Sequence, residues 1–307
     1  MSSIPPAQKR LGELIARYRF EPTIRDVFVE GRADANLVTK FLQSQNLKDV
    51  AVYEISSVEI SAERLIEAGH SDGARQRVIF LALYCKDNLP LKSCAVTCVA
   101  DRDYDLLLGK SYDCPFLLFW DHCCLEMYAF DSRFLDPVLR SAAPSLQKSG
   151  DTVLSELEPV LLRLFAIRTT NIWLGLGLEW LPSFPDSCTL TSKSVEFDES
   201  DFIDRYLSKN ARLKEKENFL RELKILTSKM SGDRRQFIRG HDFVAALSWY
   251  LRKSTSKSSV LHRPEVLMEL LIANIEPSRV STEQFFRQLV ARVSGSDCAG
   301  SGATATH

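Results

Sequence analysis

Val27-Phe28-Val29-Glu30-Gly31-Arg32-Ala33-Asp34 and Cys94-Ala95-Val96-Thr97-Cys98-Val99-Ala100-Asp101-Arg102-Asp103-Tyr104-Asp105 decide how this chain folds on paper. Each is an apolar run of strand length that ends in acid. A continuous apolar run with β-branched residues is the pattern of a strand buried on both faces, as in parallel sheets. In open parallel α/β sheets, ligands bind outside the carboxyl ends of the strands. If these two strands are neighbours, Glu30, Asp101 and Asp103 converge there. Clustered carboxylates repel one another unless a cation sits among them. An all-oxygen donor set suits a hard divalent ion, Mg²⁺ or Mn²⁺.

Outward from these runs the pattern alternates. Residues 8–20 place Leu11, Leu14, Ile15 and Tyr18 at helical spacing. A strand at 25–30 is followed by a helix with Leu37, Val38, Phe41 and Leu42 on one face, and Asp34 reads as its N-cap rather than as a metal ligand. A strand at 50–55, a short helix from Ser61 to about Gly69, a helix at 73–87, a strand at 94–100 and another at 115–120 complete the series. The expected fold class is α/β with a mostly parallel sheet. Beyond residue 121 helical periodicity dominates 121–140, 153–182, 200–229, 241–253, 263–274 and 281–293, with a strand or hairpin within 186–204. The expected organisation is a catalytic α/β domain over 1–135, an all-helical C-terminal domain over 136–293, and a disordered Gly/Ser/Ala/Thr tail over 294–307.

Bulk properties narrow the field. The 307 residues suffice for one large or two ordinary domains, and a formal charge of −1 excludes a uniformly basic nucleic-acid coat. The N-terminus lacks a basic stretch followed by an apolar core, and the apolar run near Ile172–Leu178 stops at Glu179, so a cytoplasmic protein with no membrane span is expected. The eight cysteines are then expected as free thiols. A zinc site built on His122, Cys123 and Cys124 lacks the paired C-x-x-C spacing that would support it.

The order strand, Glu-Gly, helix, then strand, Asp-x-Asp resembles the TOPRIM fold, a Rossmann-like sheet. Asp121-His122-Cys123-Cys124-Leu125-Glu126-Met127-Tyr128 is similar to the Asp-x-x-x-x-Glu-x-Tyr element of TOPRIM nucleases related to the OLD proteins, and Arg239-Gly240-His241-Asp242-Phe243 to their C-terminal Gly-His/Lys-Asp element. At the level of pattern, residues 20–255 resemble the stand-alone branch of that family, the AriB-type effectors of the PARIS anti-phage system. The resemblance implies a Mg²⁺- or Mn²⁺-dependent nuclease. Glu30, Asp101, Asp103 and Glu126 would be catalytic, and Glu30, Asp101, Asp103 and Asp105 would hold metal. Arg32, Arg102, His122 and Arg235 are the substrate-binding candidates. It further implies a nucleic-acid substrate (tRNA favoured, DNA the alternative), an ABC-type ATPase partner and a homodimer when active. No G-x-x-x-x-G-K-[ST] loop is present, so an ATPase would be a separate chain. A catalytically inert interaction module is the non-enzymatic alternative.

Each residue also has a plainer reading. Asp103 and Asp105 suit a turn after a strand. Arg102 screens the aspartates or reaches a phosphate. His122 divides between packing and substrate contact, and Glu126 can be read as a solvated helix residue, though its place just past a strand end favours the site. His241 and Asp242 suit a helix start. The basic stretch 209–239 is a solvated face with i,i+4 pairs such as Glu217–Arg221, or a phosphate-tracking surface. Aromatic residues are sparse in it, so base stacking is not expected there. Trp173 and Trp180 read as core or as a dimer surface.

Overall fold

The computed structural model describes residues 8–93, 95–181, 184–191, 194–255 and 262–295. Cys94 and the tail beyond Gly295 lie outside them. In chain order the first elements are β1 (Lys9–Arg10), α1 (Leu11–Phe20), β2 (Asp26–Val29), α2 (Arg32–Ser44), β3 (Ala51–Glu54), β4 (Val58–Glu59), α3 (Ala62–Glu67), α4 (Ala74–Asn88), β5 (Val96–Ala100), α5 (Asp105–Leu108) and β6 (Leu117–Phe119). There follow α6 (Ser132–Ala142), α7 (Gly150–Trp173), β7 (Cys188–Leu190), β8 (Val195–Phe197), α8 (Glu199–Lys209), α9 (Lys216–Ser228), α10 (Gly240–Ser254), α11 (Pro264–Ala273), α12 (Pro277–Val280) and α13 (Gln284–Ser294).

The chain forms two compact units. The first comprises residues 1–101, 112–121 and 276–307, and the second residues 102–111 and 122–275. The first is α/β. Its four-stranded sheet has the order β3-β2-β5-β6, and every pair is parallel. In β2 and β5 all residues are buried, including Thr97 and Asp26, whose carboxylate accepts from Arg17 and Tyr18. The chain steps from β2 outward to β3, then returns to the other side of β2 for β5. Because such crossovers are right-handed, α2 and α4 fall on opposite faces of the sheet. On the α4 face, Val78, Ile79, Leu81, Ala82 and Cys85 pack with Phe28, Cys98 and Ala100 and with Leu11, Leu14 and Ile15 of α1. The last helices also belong to this unit. Phe286 meets Phe41 at 4.5 Å and Phe285 meets Trp120 at 4.0 Å, while the Asp121 carboxylate accepts the Phe285 N–H at 2.9 Å.

The second unit is helical, apart from the antiparallel hairpin β7–β8. Its helices are shorter than periodicity suggests. The run 153–182 stops as helix at Trp173, since Gly175 and Gly177 both take φ +61°. The run 200–229 divides at Ala211, φ +53°. The run 121–140 becomes a single 3-10 turn over Leu125–Ala129 and then α6, whose N-cap Asp131 accepts the Arg133 N–H at 2.8 Å. At the N-terminus, Lys9 and Arg10 pair with Val58 and Glu59 rather than opening the first helix. None of the described helices is long and apolar enough to cross a membrane.

Candidate functional site

In the first unit, Glu30 directly follows β2 and Asp101 directly follows β5, and the two strands are hydrogen-bonded neighbours. This strand pair is where the sheet order reverses, the switch point at which an open α/β sheet leaves a crevice at its carboxyl edge. The Asp101 N–H donates to Glu30 Oε1 at 2.7 Å, so Glu30 is anchored to the neighbouring strand end through one carboxylate oxygen. Arg75 Nε donates to the Asp101 carbonyl at 2.8 Å and steadies the same turn from α4. Nothing in the local sequence around Arg75 marks it for this contact. Gly31 is the N-cap of α2, and Asp34 is its third residue, one turn in from the cap position expected of it. Its carboxylate reaches back to accept the Gly31 N–H at 3.2 Å, closing the turn that presents Glu30. Arg32, in the first turn of α2, is exposed.

In the second unit, Asp103 takes φ +47°, a left-handed conformation that costs most residues energy and that Asp tolerates better than most. Its N–H donates to the Cys123 carbonyl at 3.0 Å. Asp105 is buried and starts the short α5. Glu126 packs against the first residue of α10: its side chain occupies the space that a Cβ on Gly240 would need. The Gly240 N–H donates to Cys124 Sγ at 3.2 Å. A carboxylate beside the N-terminus of a 15-residue helix is favoured by the helix dipole.

Buried ion pairing organises the start of α10. Arg168 makes a two-pronged contact with Asp242, 2.8 Å on each arm, and its guanidinium stacks 3.5 Å from the Trp180 ring centre. Asp242 is thus a structural residue. Arg239 is largely buried, and the Tyr104 hydroxyl, Asp242 and Asp103 around it outweigh the cost of burial and raise its pKa.

His122 is 2% exposed and its ring lies against Tyr128 at 4.8 Å. Burial, and secondarily the Arg235 charge, hold its pKa down to about 4, with Asp233 (3.6 Å from Nδ1) opposing and Arg102 adding. Arg235 folds back on Asp233 at 2.8 Å, and its carbonyl accepts the Cys123 N–H at 3.1 Å. Arg102 is half-buried. In the basic stretch, Arg221 pairs with Glu222.

Among the described residues no group of three His, Cys, Asp or Glu side chains is gathered to hold a metal ion. Glu30 and Asp101 nevertheless fit Mg²⁺, which keeps several waters and usually takes only one or two carboxylates plus substrate phosphate. No family model matches the chain, and no curated protein matches it.

Proposed function

We propose that the protein is a Mg²⁺-dependent phosphodiesterase of the TOPRIM kind, acting as a nuclease. The observation that carries this reading is the meeting of Glu30 and Asp101 at the switch point of a parallel sheet. Glu30 and Asp101 would hold the ion. When bound, Mg²⁺ neutralises charge developing on the phosphoryl oxygens and lowers the pKa of water. The protein's own part is positional. The Asp101 N–H fixes one Glu30 oxygen, Arg75 fixes the Asp101 backbone, and the Gly31–Asp34 turn sets the approach to α2. Arg32 offers a cation to a phosphate from the exposed first turn of α2. Asp103, Asp105 and Glu126, all in the second unit, are further acidic candidates that rest on the motif resemblance alone.

The biological role in this proposal is that of a toxic effector of anti-phage defence, a cytoplasmic protein restrained by an ABC-type ATPase and cleaving tRNA as a homodimer once released. That part rests on the motif resemblance. Incubation with Mg²⁺ or Mn²⁺ and either tRNA, single-stranded DNA or plasmid tests the activity and separates RNA from DNA cleavage. Metal-dependent cleavage of tRNA is expected. Cleavage of no substrate under any metal condition would refute the nuclease reading. Isolation from the native host tests the partner: co-purification of an ABC-type ATPase is expected, and a preparation without one contradicts the restraint.

A further inference from the structure

Helix α7 ends on Trp173, which is 49% exposed beside Ile172 at 44%. The indole Nε1–H donates to Glu222 Oε2 at 3.2 Å, and the Lys229 ammonium stands 5.5 Å from the ring centre. Glu222 and Lys229 belong to α9 and its C-terminal cap, so the tip of α7 lies along that helix. Arg221, Ile225 and Lys229 follow one another at i, i+4 and i+8, and therefore form a single row on the helix surface. Ile225 is 43% exposed and the Arg221 side chain 66%. An aromatic ring and two isoleucines are thus about half exposed, flanked by Arg221, Lys229 and the Glu222 carboxylate.

The charge around this row favours one kind of occupant. Lys216, Arg234 and Arg235 are neutralised by Asp204, Glu158 and Asp233, and Arg221 pairs with Glu222 at 3.3 Å while its side chain stays 66% exposed. Arg212, Lys214, Lys224 and Lys229 are exposed and make no ion pair among the described residues. Protein interfaces are depleted in lysine. Surfaces for single-stranded nucleic acid instead combine cations that follow the backbone with an aromatic face for a base. The stretch 209–239 looked short of aromatic residues because its aromatic partner comes from a helix ending some fifty residues earlier in the chain.

We propose that Trp173, with Lys229 and Arg221, forms a docking surface for unpaired nucleotides, a base stacking on the indole, one phosphate meeting the Lys229 ammonium and another taking the place of Glu222 on the exposed Arg221. The phosphodiesterase reading supplies the kind of polymer; α7 and α9 supply the place. The test is fluorescence anisotropy of a labelled single-stranded RNA with the full-length protein in EDTA, where no metal-dependent cleavage occurs. Trp173→Ala is expected to weaken binding about five- to a hundredfold, and Trp173→Phe, which keeps a stacking face, by about threefold or less. Lys229→Ala is expected to lower the salt dependence of log Kd by about 0.7. Circular dichroism of each variant should match that of the wild type, since the replaced side chains are exposed.

Three results overturn the proposal: a wild-type protein that binds no strand, a folded Trp173→Ala that binds as the wild type does, or a Trp173→Ala whose only change is loss of self-association in sedimentation. Binding through Trp173 without cleavage in Mg²⁺ would refute the phosphodiesterase reading alone. Cleavage together with unchanged binding by Trp173→Ala would refute this surface alone.

Discussion

Mild acid should destabilise the second unit through one side chain, His122. It is 2% exposed, and neither ring nitrogen has a hydrogen-bond partner among the described residues. Its folded pKa of about 4 lies below the ordinary 6.5. A group with a depressed folded pKa contributes stability that is fully present above its unfolded pKa and is lost as pH falls toward the folded one. Here the window runs from about pH 6.5 down to about pH 4. The full difference is about 3 kcal/mol, of which about 2 kcal/mol should be gone near pH 4.5 relative to pH 7. Asp233 and Asp131 have lowered pKa values, so their contributions are lost only below this window. Asp26 has a raised pKa, so its contribution is lost as pH rises and opposes the trend. The difference between the wild type and His122→Phe removes both effects. Phenylalanine keeps the contact with Tyr128 and sacrifices no hydrogen bond, so the variant should be at least as stable as the wild type near neutrality. Urea unfolding of both proteins at the two pH values, followed by circular dichroism, measures the double difference. Equal acid sensitivity in the two proteins would refute the reasoning.

Breaking the buried Arg168–Asp242 pair by Asp242→Ala should cost about 3–5 kcal/mol, because Arg168, 14% exposed and packed on Trp180, is left without its counter-charge. Chemical denaturation checks this, and Arg168→Met combined with Asp242→Leu should restore much of the loss. Gly240→Ala should cost about 1–3 kcal/mol by driving a methyl into Glu126. In a double-mutant cycle Glu126→Gly, which removes the Cβ 2.8 Å away as well as the carboxylate, should offset more of that cost than Glu126→Ala, which keeps that Cβ; additive effects with both would show that the clash is relieved elsewhere.

The strands that place Glu30 and Asp101 were legible because an apolar run of strand length leads up to each acid, although each strand also buries one polar residue, Asp26 and Thr97. Helix faces were equally plain: Leu37, Val38, Phe41 and Leu42 of α2 are all buried. Helix ends were not, because they depend on single backbone conformations. The positive φ at Gly175, Gly177 and Ala211 ends or divides helices whose apolar spacing continues without a break. Long-range pairings left no local trace. Arg168 and Asp242 are 74 residues apart, Trp173 and Glu222 are 49 apart, and Lys9 opens a strand pair with Val58. Asp34 was read as a capping residue, and its chemistry is that of a cap, but it acts from the third helical position because Gly31 takes the cap itself. For His122, sequence alone does not divide packing from substrate contact, since the two charges that act on it most, Arg235 and Asp233, lie more than a hundred positions away.

The claim that Glu30 and Asp101 hold a catalytic ion is tested most directly by Mn²⁺ binding, read from the loss of the free-ion signal in electron paramagnetic resonance. Glu30→Gln keeps an oxygen to accept the Asp101 N–H and removes only the charge, so it separates metal binding from folding. The account predicts that the wild-type protein binds Mn²⁺ near neutral pH and that Glu30→Gln and Asp101→Asn each lose that binding while remaining folded. Equal Mn²⁺ binding by all three proteins would contradict it.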